Sequence, residues 1–137
     1  MGIVVNDLDK TRDFWTNALG FKLHVEALEE SPYIDELLAI KDPALTTVKL
    51  IDLKGFIIEL LKFENHRVDN SWSGDLKTTG LTHIALSVDD LDELVSNLKK
   101  QNYQPLSDIK ISPNKKVKVV FVQGPEAIML ELVQELK

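Results

Sequence analysis

The segment Leu81–Leu91, LTHIALSVDDL, constrains this chain most, because a second version of it stands at the N-terminus. Within it His83, Ala85 and Ser87 alternate with Ile84, Leu86 and Val88, the period-two pattern of a strand with one small, polar face and one greasy face. A shift of 83 positions lays Ala85–Asp92 on Gly2–Asp9. A second shift, of 72, lays Phe56–Leu61 (FIIELL) on Ile128–Val133 (IMLELV). The fall from 83 to 72 means that the second copy has a shorter middle. A chain that repeats itself in this way is two copies of one small unit.

Each copy reads strand, helix, strand, strand, strand. In the first, Asn6 or Asp7 caps a helix expected over residues 8–19, with Gly20 at its C-terminal stop. Phe14 and Trp15 on that helix are expected to pack on the sheet. Strands are expected over 21–27, 45–53 and 56–63, the last two joined across Lys54-Gly55, with a helical turn over 34–39 in the polar connection. The second copy gives a strand over 82–88, a helix from Asp90 to about Gln101, a strand over 103–110, a turn at Ser112-Pro113-Asn114, and a hairpin of 117–122 with 127–133. Residues 66–79, rich in Asn, Ser, Gly and Thr, read as the connection between halves. The expected fold is α+β: one domain over 1–137, made of βαβββ modules at 1–65 and 81–137 with a linker at 66–80, forming a cupped, barrel-like mixed sheet with helices outside.

With 137 residues the chain is one domain's worth, and a tandem of two small modules sharing a core fits it. The formal charge of −6, with lysines scattered among acids, argues against a nucleic-acid groove, which needs a concentrated basic face. The absence of cysteine removes disulfides, thiolate zinc sites and cysteine nucleophiles together. The start, MGIVVNDLDK, has neither a basic leader nor a long apolar core, and no apolar run approaches the ~18 residues of a membrane span. A cytoplasmic, unanchored protein is expected.

Two carboxylates stand out. Glu59 lies in a strand that is apolar on both faces, with Ile57 and Leu61 beside it, and Glu131 has the same setting between Met129 and Val133. A buried, ionised carboxylate costs several kcal/mol unless a cation or good donors meet it. A single Glu in such a strand ordinarily faces solvent at a sheet edge, and a single strand histidine is ordinarily a hydrogen-bonded core residue. Equivalent carboxylates in both copies, with His83 at a third position, favour a shared cation instead.

The run G-IVV-NDLDK, then FW and LGF, then G-FIIEL, GLTHIALSVDDLDE and GPEA-IMLELV resembles the vicinal-oxygen-chelate superfamily. That superfamily includes glyoxalase I, methylmalonyl-CoA epimerase, extradiol dioxygenases and bleomycin and fosfomycin resistance proteins. The resemblance spans nearly the whole chain; it specifies a fold more than one reaction. It implies a divalent metal held by one residue from the first and one from the last strand of each module, and Glu59, His83 and Glu131 match three of these positions. The fourth, usually a histidine, falls two residues before Gly2 and so before Met1; a native chain that starts earlier is the expected explanation, beside a site of three protein ligands with water and a site that has lost its metal.

A histidine and carboxylate set suits Zn²⁺, Ni²⁺, Co²⁺ or Mn²⁺, which act as Lewis acids on adjacent substrate oxygens while a base removes a proton next to a carbonyl. The resemblance makes Glu131 the first candidate base and Glu59 a ligand or second acid/base. Where extradiol dioxygenases have a histidine this chain has Glu59, which argues against oxygenase chemistry. Asn17 stands about where glutathione-using glyoxalases carry a basic residue, and the approach to Ile128 lacks the glycine-rich, basic run of the epimerases. His24, Tyr33, Arg67 and Trp72 are the candidate substrate contacts, against the plainer readings of a solvent-exposed strand residue for His24 and a polar connection with one anchored tryptophan for Arg67 and Trp72. The resemblance also implies a small-molecule substrate and a homodimer. Two expectations from different classes follow: a metal-dependent lyase, isomerase or epimerase, and a metal-free binding or resistance protein of the same fold.

Overall fold

The computed structural model describes residues 1–66, 68, 72 and 75–137, and the chain falls into two compact units, Met1–Ser71 and Trp72–Lys137. Arg67 lies outside the described residues. The class is α+β, and among the described residues no helix is long and apolar enough to cross a membrane.

The first unit runs β1 (Gly2–Val4), α1 (Leu8–Asp13) continued by a π-helical turn (Phe14–Ala18), β2 (Lys22–Glu29), α2 (Tyr33–Leu38), β3 (Leu45–Ile51) and β4 (Ile57–Phe63). The second runs β5 (Ile84–Ser87), α3 (Leu91–Lys100), β6 (Lys110–Ile111), β7 (Val117–Gln123), a 3₁₀ turn (Pro125–Ala127) and β8 (Met129–Glu135). Each unit forms an open, mixed four-stranded sheet, in the orders β1-β4-β3-β2 and β5-β8-β7-β6. In both, the first strand lies parallel to the last, and the other pairs are antiparallel. The extra helix α2 accounts for the longer middle of the first copy.

The two sequence shifts reappear as sheet register. Gly2 pairs with Glu59 across β1 and β4, and Ala85 pairs with Glu131 across β5 and β8. Helix starts repeat too: the Asp7 carboxylate accepts from the Lys10 amide at 3.0 Å, and the Asp90 carboxylate accepts from the Glu93 amide at 2.9 Å. Each satisfies an amide that the first helical turn leaves without a partner. Beyond the helix ends, Gly20 and Asn102 take the left-handed conformation, φ +76° and +66°.

One face of each sheet is buried. Ile58 and Leu60 on β4 and Leu130 and Leu132 on β8 are all 0% exposed. In the first unit Trp15 stacks edge-on against Phe14 and Phe21, with ring centroids 6.0 and 5.1 Å away. In the second, Leu91, Val95 and Leu98 form the buried stripe of α3 at helical spacing. The Leu91 amide donates to the Gln134 side chain at 3.0 Å, which ties the start of α3 to β8.

Two elements differ from the sequence expectation. The first helix is α-helical only to Asp13; the Leu19 amide then reaches back to the Phe14 carbonyl, five residues earlier, at 3.3 Å. Phe14 and Trp15, which open this wider turn, are both buried in the core. The strand expected over 103–110 shrinks to a bridge between Pro105 and Val122 and the short β6. Pro105 has no amide to donate, and the stretch between it and β6 falls out of register with β7.

Leu60 and Leu132 occupy equivalent places in the two copies, so Leu60→Ala and Leu132→Ala should each lower stability by about 2–5 kcal/mol, read as a shift of the urea unfolding midpoint.

Candidate functional site

The alternation that buries Ile84 and Leu86 turns His83, Ala85 and Ser87 to the opposite face of the second sheet. On β8, Leu130 and Leu132 face the core and Glu131 faces the other way. Because Ala85 pairs with Glu131, the side chain of His83 at the head of β5 reaches the carboxylate on the neighbouring strand. His83 Nε2 lies 3.4 Å from Glu131 Oε2. The other ring nitrogen, Nδ1, lies 2.9 Å from Thr82 Oγ1. Phe121, directly across from Glu131 on β7, sets its ring edge-to-face against the imidazole at 5.2 Å and 77°.

The His83 and Glu131 side chains are 35% and 28% exposed. At this half-burial the carboxylate keeps part of its hydration, and the desolvation cost is well below that of a sealed core. The sequence expectation of a carboxylate needing rescue was too severe for this site: alternation hides the apolar face and leaves this one open. A nitrogen and a carboxylate oxygen converging at this spacing are a donor pair suited to a borderline divalent cation. Among the described residues no group of three or more His, Asp or Glu side chains that could hold a metal ion is found.

In the first unit Glu59 has a different neighbour. Lys49, its cross-strand partner on β3, places Nζ 3.5 Å from Glu59 Oε1, with both side chains partly exposed. Lys49 occupies the register position that Phe121 holds in the second unit, opposite the equivalent glutamate. The cation beside Glu59 is therefore a lysine. Sequence reasoning missed Lys49, Phe121 and Thr82, although the shift of 72 that aligns the two glutamates also aligns Lys49 with Phe121.

Of the candidate substrate contacts, His24 and Tyr33 belong to the first unit and Trp72 to the second. His24 is exposed in β2 at a bulge, where the pairing with β3 slips between Leu23 and Val25. Tyr33 opens α2 and is 61% exposed. Trp72 donates its indole N–H to the Ala127 carbonyl at 3.1 Å, an anchor to the turn that leads into β8. Asn17 is exposed and directs its amide to the Asp13 carboxylate.

Comparison with known proteins gives a consistent picture. A family model described as Glyoxalase/Bleomycin resistance protein/Dioxygenase superfamily matches residues 1–121, ending short of β8 and Glu131. The chain is 27% identical over 135 residues to the uncharacterized protein YaeR of Escherichia coli K12, covering 98% of this chain and 93% of that one. A glyoxalase family protein from Bacillus cereus superposes with a TM-score of 0.90 at 23% identity, over 100% of this chain and 92% of that one. A glyoxalase I variant from Zea mays gives 0.71 at 22% identity, over 99% of this chain but 44% of the longer maize chain. At these identities the two structural likenesses are statements about fold.

The Lys49–Glu59 pair is solvent-accessible, so a double-mutant cycle of Lys49→Met and Glu59→Gln should return a coupling of only about 0.2–1 kcal/mol, measured by urea unfolding at low and high salt, and smaller at high salt.

Proposed function

The chain belongs to the Glyoxalase/Bleomycin resistance protein/Dioxygenase superfamily, and from that premise we propose that it is a divalent-metal-dependent lyase or isomerase acting on a small oxygenated substrate. The observation that carries the proposal is the approach of His83 Nε2 to Glu131 Oε2 at 3.4 Å, on strands whose register repeats that of the first unit. His83 and Glu131 would hold the ion, with Glu59 as the third ligand that the resemblance implies; Zn²⁺, Ni²⁺, Co²⁺ and Mn²⁺ all suit such donors. The ion supplies Lewis acidity toward a carbonyl oxygen. Glu131 serves as the base, taking a proton from the carbon next to that carbonyl, and the adjacent imidazole orients its carboxylate. Glu59 is the second acid/base on the other carboxylate position. His24, Tyr33, Trp72 and Arg67 are the substrate contacts carried by this reading, and the same reading has the protein work as a cytoplasmic homodimer.

One observation favours a second reading. Lys49 already meets the charge of Glu59, so that carboxylate is satisfied by the protein itself. On that basis the protein is a metal-free binding or resistance protein of the same fold.

Metal analysis after exhaustive dialysis, followed by calorimetric titration with the four ions, separates the two. The enzyme reading expects a retained ion, loss of at least tenfold in affinity in His83→Ala, weakened binding in Glu59→Gln, and loss of turnover in Glu131→Gln across a panel of α-oxo and acyl substrates. Protein that is metal-free as purified, binds none of the four ions and melts unchanged in EDTA overturns it in favour of the binding protein. Size-exclusion chromatography with light scattering should give the mass of two chains.

A further inference from the structure

The imidazole of His83 is held from three directions, and two of the holding residues have no part in the reading above. Thr82 Oγ1 stands 2.9 Å from Nδ1, Glu131 Oε2 stands 3.4 Å from Nε2, and the Phe121 ring lies edge-on at 5.2 Å. A histidine on a half-open strand would otherwise turn about its χ2 torsion, whose well is broad. A half-turn puts the ring carbons Cδ2 and Cε1 where Nδ1 and Nε2 stand, and so takes both nitrogens away from Thr82 and Glu131.

We propose that Thr82 and Phe121 are positioning residues for the His83–Glu131 pair, and that the Thr82 hydroxyl serves both neutral forms of the imidazole. An ionised carboxylate only accepts hydrogen bonds. Without a cation, the negative charge of Glu131, 3.4 Å from Nε2, favours the proton on that nitrogen, and Nδ1 then accepts from the Thr82 hydroxyl. When a cation takes the Nε2 lone pair, the proton belongs on Nδ1 and the same hydroxyl accepts from it. A hydroxyl is suited to this because it both donates and accepts, whereas a backbone carbonyl in its place would accept only. Passing between the forms releases one proton from Nε2 to solvent and binds one at Nδ1, so the charge of the ring does not change. Phe121 limits ring rotation in either form. In the first unit the position of Phe121 is taken by Lys49, so this arrangement is particular to the second copy.

The inference builds on the assignment of His83 and Glu131 made above, yet its decisive test needs no metal. In metal-free, full-length protein, ¹⁵N imidazole spectra taken where the ring is neutral should show His83 protonated on Nε2. Thr82→Val, nearly isosteric, should shift the Nδ1 resonance and give a mixture of tautomers, and Thr82→Ser should restore the wild-type pattern. Phe121→Leu should broaden or double the ring signals as rotation becomes free. For protein that binds an ion, Thr82→Val should weaken binding about tenfold or more, with Thr82→Ser close to wild type. Wild-type imidazole spectra in both Thr82→Val and Phe121→Leu, each confirmed folded by its amide spectrum, overturn the inference. If wild-type protein binds none of the ions, the proposed function falls, while the metal-free spectra still decide this point.

Discussion

The parallel pairing of the first strand of each unit with its last is the interaction on which the rest depends. β1 must find β4, and β5 must find β8, across an intervening helix and hairpin. Closing such a loop carries an entropic cost that only the buried face can offset. Ile3 meets Leu60, and Ile84 and Leu86 meet Leu130 and Leu132, all on the apolar side. A slip of one residue would turn each of these outward and bring Glu59 or Glu131 into the core. Register is thus enforced by the core, and the placement of the carboxylates on the other face follows from it.

Duplication supplies the same backbone address twice, and the side chains there have diverged. Glu59 and Glu131 share register, strand partner and a half-buried setting. Their neighbours do not match: Lys49 neutralises one, while Phe121 flanks the other and leaves His83 to approach it. A lysine holds a carboxylate by charge and is readily replaced by water. An aromatic ring does not compete for the carboxylate and instead shapes the space around the histidine. The second copy therefore presents a donor pair, and the first presents an ion pair.

The repeat made most of the fold legible. Shifts of 83 and 72, read from one sequence, are the registers of β1–β4 and β5–β8, because insertions between strands do not alter which faces must be buried. Helix caps at Asp7 and Asp90 were legible for a local reason, the need of first-turn amides for an acceptor. The π turn at Phe14–Ala18 was not, since the expected burial of Phe14 and Trp15 is met by a regular helix as well and the residue pattern does not mark where a turn widens. Pro105 misled as well: apolar residues around it read as a strand, and the missing amide broke the ladder. Glu59, His83 and Glu131 stood out from the alternation within their own segments, whereas Lys49 and Phe121 were missed because they meet these residues across strands, where alternation along one segment carries no information.

The alternation of β8 explains how a carboxylate comes to be held on an open sheet face and not on a loop. Leu130 and Leu132, both 0% exposed, fix its backbone in the core, and Glu131 between them is presented on the open face with no freedom beyond its own side-chain torsions. His83 gains less from its backbone, since it stands just before β5 at the strand's entry. The two side chains differ accordingly: the glutamate is carried by its strand, while the histidine is met by Thr82 at Nδ1 and by the ring of Phe121. The placement of the two side chains is then set to within side-chain rotation by two different means, the core for Glu131 and side-chain neighbours for His83.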